Sequence, residues 1–264
     1  MKDIVKHFVG QTVFASRLHA VLLRKMAVVV AFHRVQETAE PGDGLTMSVR
    51  MFESYCRFFR RHFRVVPLRE IVEKLERGQR LGRELAITFD DGYRDNLEVA
   101  APVLEKLALP ATFFIVTQSM GTSIVPWWDM ERGARHPWMT WDQVRELHRR
   151  GFDIGAHTRT HADLGRVSGA EAQEEIVGGR RELEWELGSS VDLFAYPYGE
   201  ANHLTEANRE LVKAAGFRCC CSCYGGNVAT GGSPFRLPRV PISHWHSSPQ
   251  ERGLEVALDR TLST

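Results

Sequence analysis

Leu85-Ala86-Ile87-Thr88-Phe89-Asp90-Asp91-Gly92 is the stretch on which the reading of this chain turns. Leu85 to Phe89 is short, apolar and bounded by turn chemistry, the pattern of a buried strand. Asp90 and Asp91 fall where that strand ends, and Gly92 lets the backbone turn sharply toward a helix beginning near Tyr93. Two adjacent carboxylates repel, so a fold that keeps both at a strand end needs a cation or a proton between them. An aspartate helix cap explains the pair equally well until a second stretch is considered. That stretch is Ile154-Gly155-Ala156-His157-Thr158-Arg159-Thr160-His161.

Working outward, strand and helix patterns alternate about seven times, which builds a parallel sheet, closed or open. Strands are expected at 27–32, 64–66, 85–89, 111–116, 153–156, 193–196, 217–221 and around 236–240. Of these, 111–116 reads as half-buried. Helices are expected from Ser48 as N-cap to about His62, from Pro67 to about Glu76, and over 93–107 with a kink at Pro102. Others follow at 141–150, 168–187 and 206–215, with one more from Gln250. A long loop covers 117–140. The chain divides into a helical segment, 1–26, and a single large domain, 27–264. The unusual residues recur just past strands: His33, Asp90, Asp91, His157, Tyr198, and His244 or His246. In a barrel of parallel strands these ends converge on one face, where such folds place their active sites.

Composition excludes several classes. The 264 residues carry a net charge of +1, which leaves no electrostatic footprint for nucleic acid. Arg57, Arg60, Arg61 and Arg64 read as a solvated helix face. The five cysteines are an odd number with four crowded at 219–223, so they read as small buried residues rather than a disulfide framework. Reduced thiols and the lack of a recognisable leader point to the cytoplasm. Residues 1–25 mix Val5, Phe8, Val9, Val13 and Phe14 with Lys2, Lys6, Arg17, Arg24 and Lys25. Such a segment suits a membrane surface, but its mixed apolar face favours packing on the barrel rim.

His157 and His161 are four apart, the spacing that brings two imidazoles together on a helical turn. With a carboxylate they make a three-ligand set that leaves positions open on a divalent ion. Zn is the first choice for such a set, and Co, Ni or Mn would also fit.

Taken together, Thr88-Phe89-Asp90-Asp91-Gly92, His157-x-x-x-His161 and Phe194-x-x-Pro197-Tyr198-Gly199 resemble, in order and spacing, the polysaccharide deacetylases of carbohydrate esterase family 4. His33-Arg34-Val35 resembles the exopolysaccharide branch of that family. The resemblance covers roughly Ala27 to His246. It implies a distorted (β/α)7 barrel, TIM-barrel-like, with the active site at the C-terminal ends of the strands. It also implies divalent-metal dependence and hydrolysis of N-acetyl groups on an amino-sugar polysaccharide, oligosaccharide or lipid-linked saccharide. By position, Asp90 matches the general base and Asp91, His157 and His161 the metal ligands. The backbone N–H of Tyr198, next to Pro197, matches the oxyanion donor. His244 and His246 are the first choices for the acid that protonates the leaving amine, with His33 another.

Two departures stand out. The family often places an arginine where this chain has Ala195, and Arg239 or Arg34 is available to replace it. The aspartate–tryptophan motif that supports the acid is not evident. Trp127 and Trp128, in the long loop, are candidates to line a sugar groove, with His33 and Arg239 as further substrate contacts. A metal amidase acting on a non-sugar amide and a non-catalytic glycan-binding module are the alternatives. The oligomeric state is open.

Overall fold

The computed structural model describes residues 2–39, 42–243 and 248–258. Seven strands close into a ring: β1 (Met26–Phe32), β2 (Glu84–Phe89), β3 (Thr112–Ile115), β4 (Asp153–Ala156), β5 (Leu193–Ala195), β6 (Cys219–Gly225) and β7 (Leu237–Pro241). Each pairs in parallel with the next. The register includes Val28 opposite Leu85 and Phe32 opposite Phe89, and β7 returns to β1 with Val30 opposite Val240. The expected seven-stranded parallel barrel is therefore closed. Among the described residues four short pieces lie outside the ring: Arg64–Val65 runs beside the start of β2, Val228–Ala229 runs antiparallel to the start of β1, and Arg34–Gln36 pairs in parallel with Thr46–Ser48.

Alternation along the strands sorts their side chains into two cores. Val28, Val30, Phe32, Leu85, Ile87, Phe89, Phe113 and Ile115 face the surrounding helices. Ala27, Val29, Ala86, Phe114, Leu193, Ala195, Cys219, Cys221 and Leu237 fill the interior together with Leu68, Ile71, Val72 and Leu75. The helix Leu68–Glu76 thus packs on inward-facing residues, so it crosses the N-terminal end of the barrel rather than its flank. Phe114 occupies so much of the interior that a Cβ on Gly155 would lie 2.5 Å from its ring, which accounts for the glycine in β4.

Glu84 opens β2 and ties that end together. Its side chain is 2% exposed and meets Lys74 and Arg64, the latter at 2.7 Å. Burial works against its charge, but Lys74, the Gly82 N–H and Arg64 outweigh it and hold the carboxyl down to about 2. A depressed carboxyl contributes stability above its unfolded pKa of ~4.3 and loses it as pH falls through the folded value. Glu84→Gln is expected to cost about 3 kcal/mol at pH 7 in urea unfolding, a difference that should vanish as pH approaches the folded value.

Several local expectations are corrected. The strand at Thr112–Ile115 is buried along its whole length, because helices cover one face and the barrel interior the other. The helix expected from Tyr93 starts at Asn96, since Tyr93 instead bridges Trp138 and Arg94 N–H donates to Pro137 O. Its first turn, Asn96–Ala100, is a π-turn, which accommodates Pro102 without the clash a regular helix would impose. The long loop contains a helical turn at Trp127–Met130. Strand β6 lies later than expected, bringing Cys223 up to the C-terminal end of the barrel. Cys219 and Cys221 point inward and Cys220 outward, all buried and free, as strand alternation requires.

The N-terminal helix Lys2–Ala15 packs against the helix Pro249–Leu258. Gly10 permits the approach, since a Cβ there would lie 2.3 Å from the Gln250 carbonyl oxygen. Val13 and Phe14 are buried in this contact, whereas Phe8, Val9, Leu18 and Val21 are exposed. Among the described residues, no helix is long and apolar enough to cross a membrane.

Candidate active site

The C-terminal ends of the strands surround a cavity of about 450 Å³. His33, Asp90, Asp91, Trp127, Trp128, His157, His161 and Tyr198 all line it, so residues from five separate segments meet as expected. His244 and His246 lie outside the described residues.

Asp91 Oδ1 lies 3.5 Å from His157 Nε2 and 3.4 Å from His161 Nε2. One ligand atom from each of the three residues falls within 4.8 Å of the others, and this is the only such group among the described residues. His157 Nδ1 is 2.8 Å from Ala195 O. A proton on Nδ1 completes that bond and leaves the Nε2 lone pair facing Asp91, the tautomer a ligand needs. Asp91 Oδ1 and His161 Nδ1 are buried without a hydrogen-bond partner. Burial opposes the Asp91 charge, but the two imidazoles hold its carboxyl well below the usual range. Burial likewise opposes the His157 imidazolium, yet Asp90 and Asp91 raise its pKa. The charges that favour a proton here also favour a cation, and the orphaned oxygen gives it a partner, so this donor set fits a divalent ion.

The spacing of the two histidines is realised differently from expectation. They do not sit on a helical turn. Residues 157–161 form an irregular loop in which Thr158 and His161 take positive φ of 64° and 63°, bringing the rings to 5.1 Å. Asp91 and Tyr198 also have positive φ, 77° and 60°. Such backbone costs on the order of 1–2 kcal/mol per residue. Among the described residues, four of the seven non-glycine positions with positive φ belong to this site. Strain therefore gathers where side chains must be aimed inward against local preference.

Asp90 is gripped by Arg239. Its two oxygens accept from Nη1 and Nη2 at 2.7 Å each, and the guanidinium also donates to Thr88 Oγ1 and Ser222 O. Both side chains are buried, at 0% and 3% exposure. Burial alone would push the Asp90 carboxyl up, but Arg239 keeps it below its ordinary value. Arg239 is thus the arginine that contacts Asp90, where position 195 holds alanine. Arg34 points elsewhere, to Asp43 and Asp129. The assignment of Arg239 as a substrate contact is corrected: it lies beneath Asp90 and does not line the cavity. Pro197 is also absent from the lining, and its carbonyl accepts the Gly199 N–H in the turn that presents Tyr198.

The aromatic residues form one side of the cavity. Trp128 lies 4.8 Å from the His161 ring, and Trp127 Nε1 donates to Tyr198 OH at 3.3 Å. Arg132, Tyr196, Glu200 and Cys223 also line the cavity and were not foreseen. Glu200 directly follows Pro197-Tyr198-Gly199, a position that offered a signal. Arg132 and Cys223 offered none, because loop packing and the final register of β6 placed them.

Comparison with known proteins agrees with this geometry. The profile of one family, described as polysaccharide deacetylase, matches residues 77–220. A putative polysaccharide deacetylase of Bacillus subtilis, YxkH, is 23% identical over 81% of this chain and 71% of its own length. The poly-beta-1,6-N-acetyl-D-glucosamine N-deacetylase of Staphylococcus aureus is 24% identical over 75% and 68% respectively. Among solved structures, IcaB from Ammonifex degensii superposes with a TM-score of 0.73 at 23% identity, over 88% of this chain and 97% of that one. The Streptococcus pyogenes deacetylase PplD superposes with 0.72 at 19% identity, over 86% and 96%. At such identity the structural likeness speaks to the fold. The profile, spanning more than half of the 264 residues and both decisive motifs, speaks to the lineage. This chain belongs to the polysaccharide deacetylase family.

Proposed function

We propose that this enzyme removes N-acetyl groups from an amino-sugar polysaccharide, oligosaccharide or lipid-linked saccharide, with a divalent ion, Zn foremost, held by Asp91, His157 and His161. The observation that carries the reading is the clustering of those three ligands, within 4.8 Å, beside an Arg239-held Asp90 in one cavity. When bound, a divalent ion supplies Lewis acidity toward the acetamide carbonyl and lowers the pKa of water. Asp90, ionised in the grip of Arg239, accepts the proton of the attacking water. The backbone N–H of Tyr198 donates to the oxyanion of the tetrahedral intermediate, a class of interaction worth roughly 3–4 kcal/mol. The leaving amine needs a proton, and His33 is the described histidine beside the three ligands that is free for that task. Trp127 and Trp128 favour a sugar over a small non-sugar amide, because indole faces stack on pyranose rings.

Acetate release should be measured on β-1,6- and β-1,4-linked N-acetylglucosamine oligosaccharides and on lipid-linked acetylated sugars, with each divalent metal added. Metal-dependent release from at least one class is expected. Stoichiometric metal without acetate from any of them would overturn the substrate reading.

We further propose that residues 1–25 contact an anionic lipid surface. Phe8, at 62% exposure, and Val21, at 58%, belong to the same segment as the exposed basic residues Arg17, Arg24 and Lys25. Co-sedimentation with phosphatidylglycerol vesicles is expected at low salt, falling in the Phe8→Ser/Val21→Ser variant. Equal sedimentation of both proteins would remove the assignment.

A further inference from the structure

Arg34 is one of the two largest fully buried side chains, and the chemistry proposed above makes no use of it. It follows the cavity-lining His33 and lies in the short strand Arg34–Gln36. Its Nη1 donates to Asp129 Oδ1 at 2.6 Å, its Nη2 to both oxygens of Asp43 at 2.9 Å, and its Nε to Thr46 Oγ1 at 2.9 Å. Both carboxylates belong to loops that border the cavity. Gly44 and Leu45 line it from the first loop, and Trp127, Trp128 and Arg132 from the second.

The hydrogen bonds continue to the cavity in both directions. Tyr93 OH donates to the second oxygen of Asp129 at 3.3 Å, and Trp128 Nε1 donates to Tyr93 OH at 3.0 Å. On the other side, Arg132 Nη1 donates to Asp43 Oδ1 at 2.7 Å. The Arg34 guanidinium also lies over the Tyr93 ring, 4.9 Å from its centroid. Two arginines and two aspartates balance in charge, and every link has its donor and acceptor in the correct sense. The turn Trp127–Met130 has only four residues, too few to hold a helix by itself. Its orientation is set by this buried network.

We propose that Arg34 is a positioning residue for substrate: by holding Asp43 and Asp129 together, it joins two loops into one wall and fixes Trp128 against His161. The role rests on the reading of the cavity as a sugar site. Arg34 touches no substrate and acts through Asp129, Tyr93 and Trp128. Its loss should therefore weaken the grip on sugar rings more than the chemical step.

Arg34→Met leaves two carboxylates without their shared cation and is at risk of not folding. Tyr93→Phe is the cleaner test, because it cuts the link to Trp128 and keeps every ion pair. Arg34→Lys and Asp129→Asn complete the series. Each is assayed on an N-acetylglucosamine oligosaccharide and on 4-nitrophenyl acetate, which needs no sugar contact. For Tyr93→Phe and Asp129→Asn, KM for the oligosaccharide should rise about tenfold with kcat within about threefold. Turnover of 4-nitrophenyl acetate and bound metal should be unchanged. Tryptophan emission should shift in Tyr93→Phe, and the shift should be absent when Trp128→Phe is already present. Unchanged KM and emission in folded Tyr93→Phe would overturn the proposal, as would a fall in kcat accompanied by loss of metal. If the unaltered enzyme releases no acetate from any oligosaccharide, the sugar reading fails, and the emission change alone still decides whether the network orients Trp128.

Discussion

Asp90→Asn is expected to retain its metal and lose turnover by about 10²–10⁴-fold, the usual contribution of a positioned general base. Asparagine keeps the shape and one of the two oxygens that accept from Arg239, so the folded variant should keep its cavity, at a cost in stability from the unpaired guanidinium. What disappears is the carboxylate that takes a proton from water. His157→Ala should behave oppositely. It removes one of the three ligand atoms gathered within 4.8 Å, so metal content should fall, and activity with it. Metal analysis and acetate release on the same preparations separate the two effects. Full activity in Asp90→Asn would sink the base assignment, and full metal in His157→Ala would sink the ligand assignment.

Arg239→Met should be the most destabilising single change at the site. The guanidinium is fully buried and makes two 2.7 Å bonds to an equally buried carboxylate. Removing one member of such a pair strands the other charge and costs about 3–5 kcal/mol. Urea unfolding at neutral pH reads the loss. Asp90 is held ionised by Arg239, so the pair contributes stability above the unfolded carboxyl's range and loses it as pH falls through the depressed folded value. Arg239→Lys should recover part of the stability, because the charge remains, but little of the turnover, because a lysine cannot hold both carboxylate oxygens in one plane. The double variant Asp90→Asn/Arg239→Met should lose clearly less than the two single losses combined, since the changes remove one interaction. Additive losses would show that the two side chains do not act as a pair.

These expectations draw on two kinds of information. The barrel was legible because its strands and helices are specified locally. Ser48 caps its helix by accepting from Met51 N–H, Gly188 ends another with a positive φ of 62°, and apolar runs mark the strands. The clustering of Asp91, His157 and His161 was legible for the same reason. Asp91 follows a strand end, and the histidines are four apart after another, so parallel strand order alone brings them to one face. The loop conformation joining His157 to His161 was not legible. Positive φ at Thr158 and His161 runs against the preference of both residues and is imposed by the packing around them.

What the chain determined by itself, then, is its alternating strands and helices, its strand-end carboxylates and its pair of imidazoles, all set by neighbours a few residues apart. What only the tertiary structure decided is which arginine serves which aspartate. Arg239 reaches Asp90 across 149 residues and Arg34 reaches Asp129 across 95. Both arginines are equally charged and equally long in the sequence. The choice follows from ring closure, which turns one inward beneath the carboxylate and the other outward under the loops. A buried charge must find its partner wherever the closed barrel leaves one within reach.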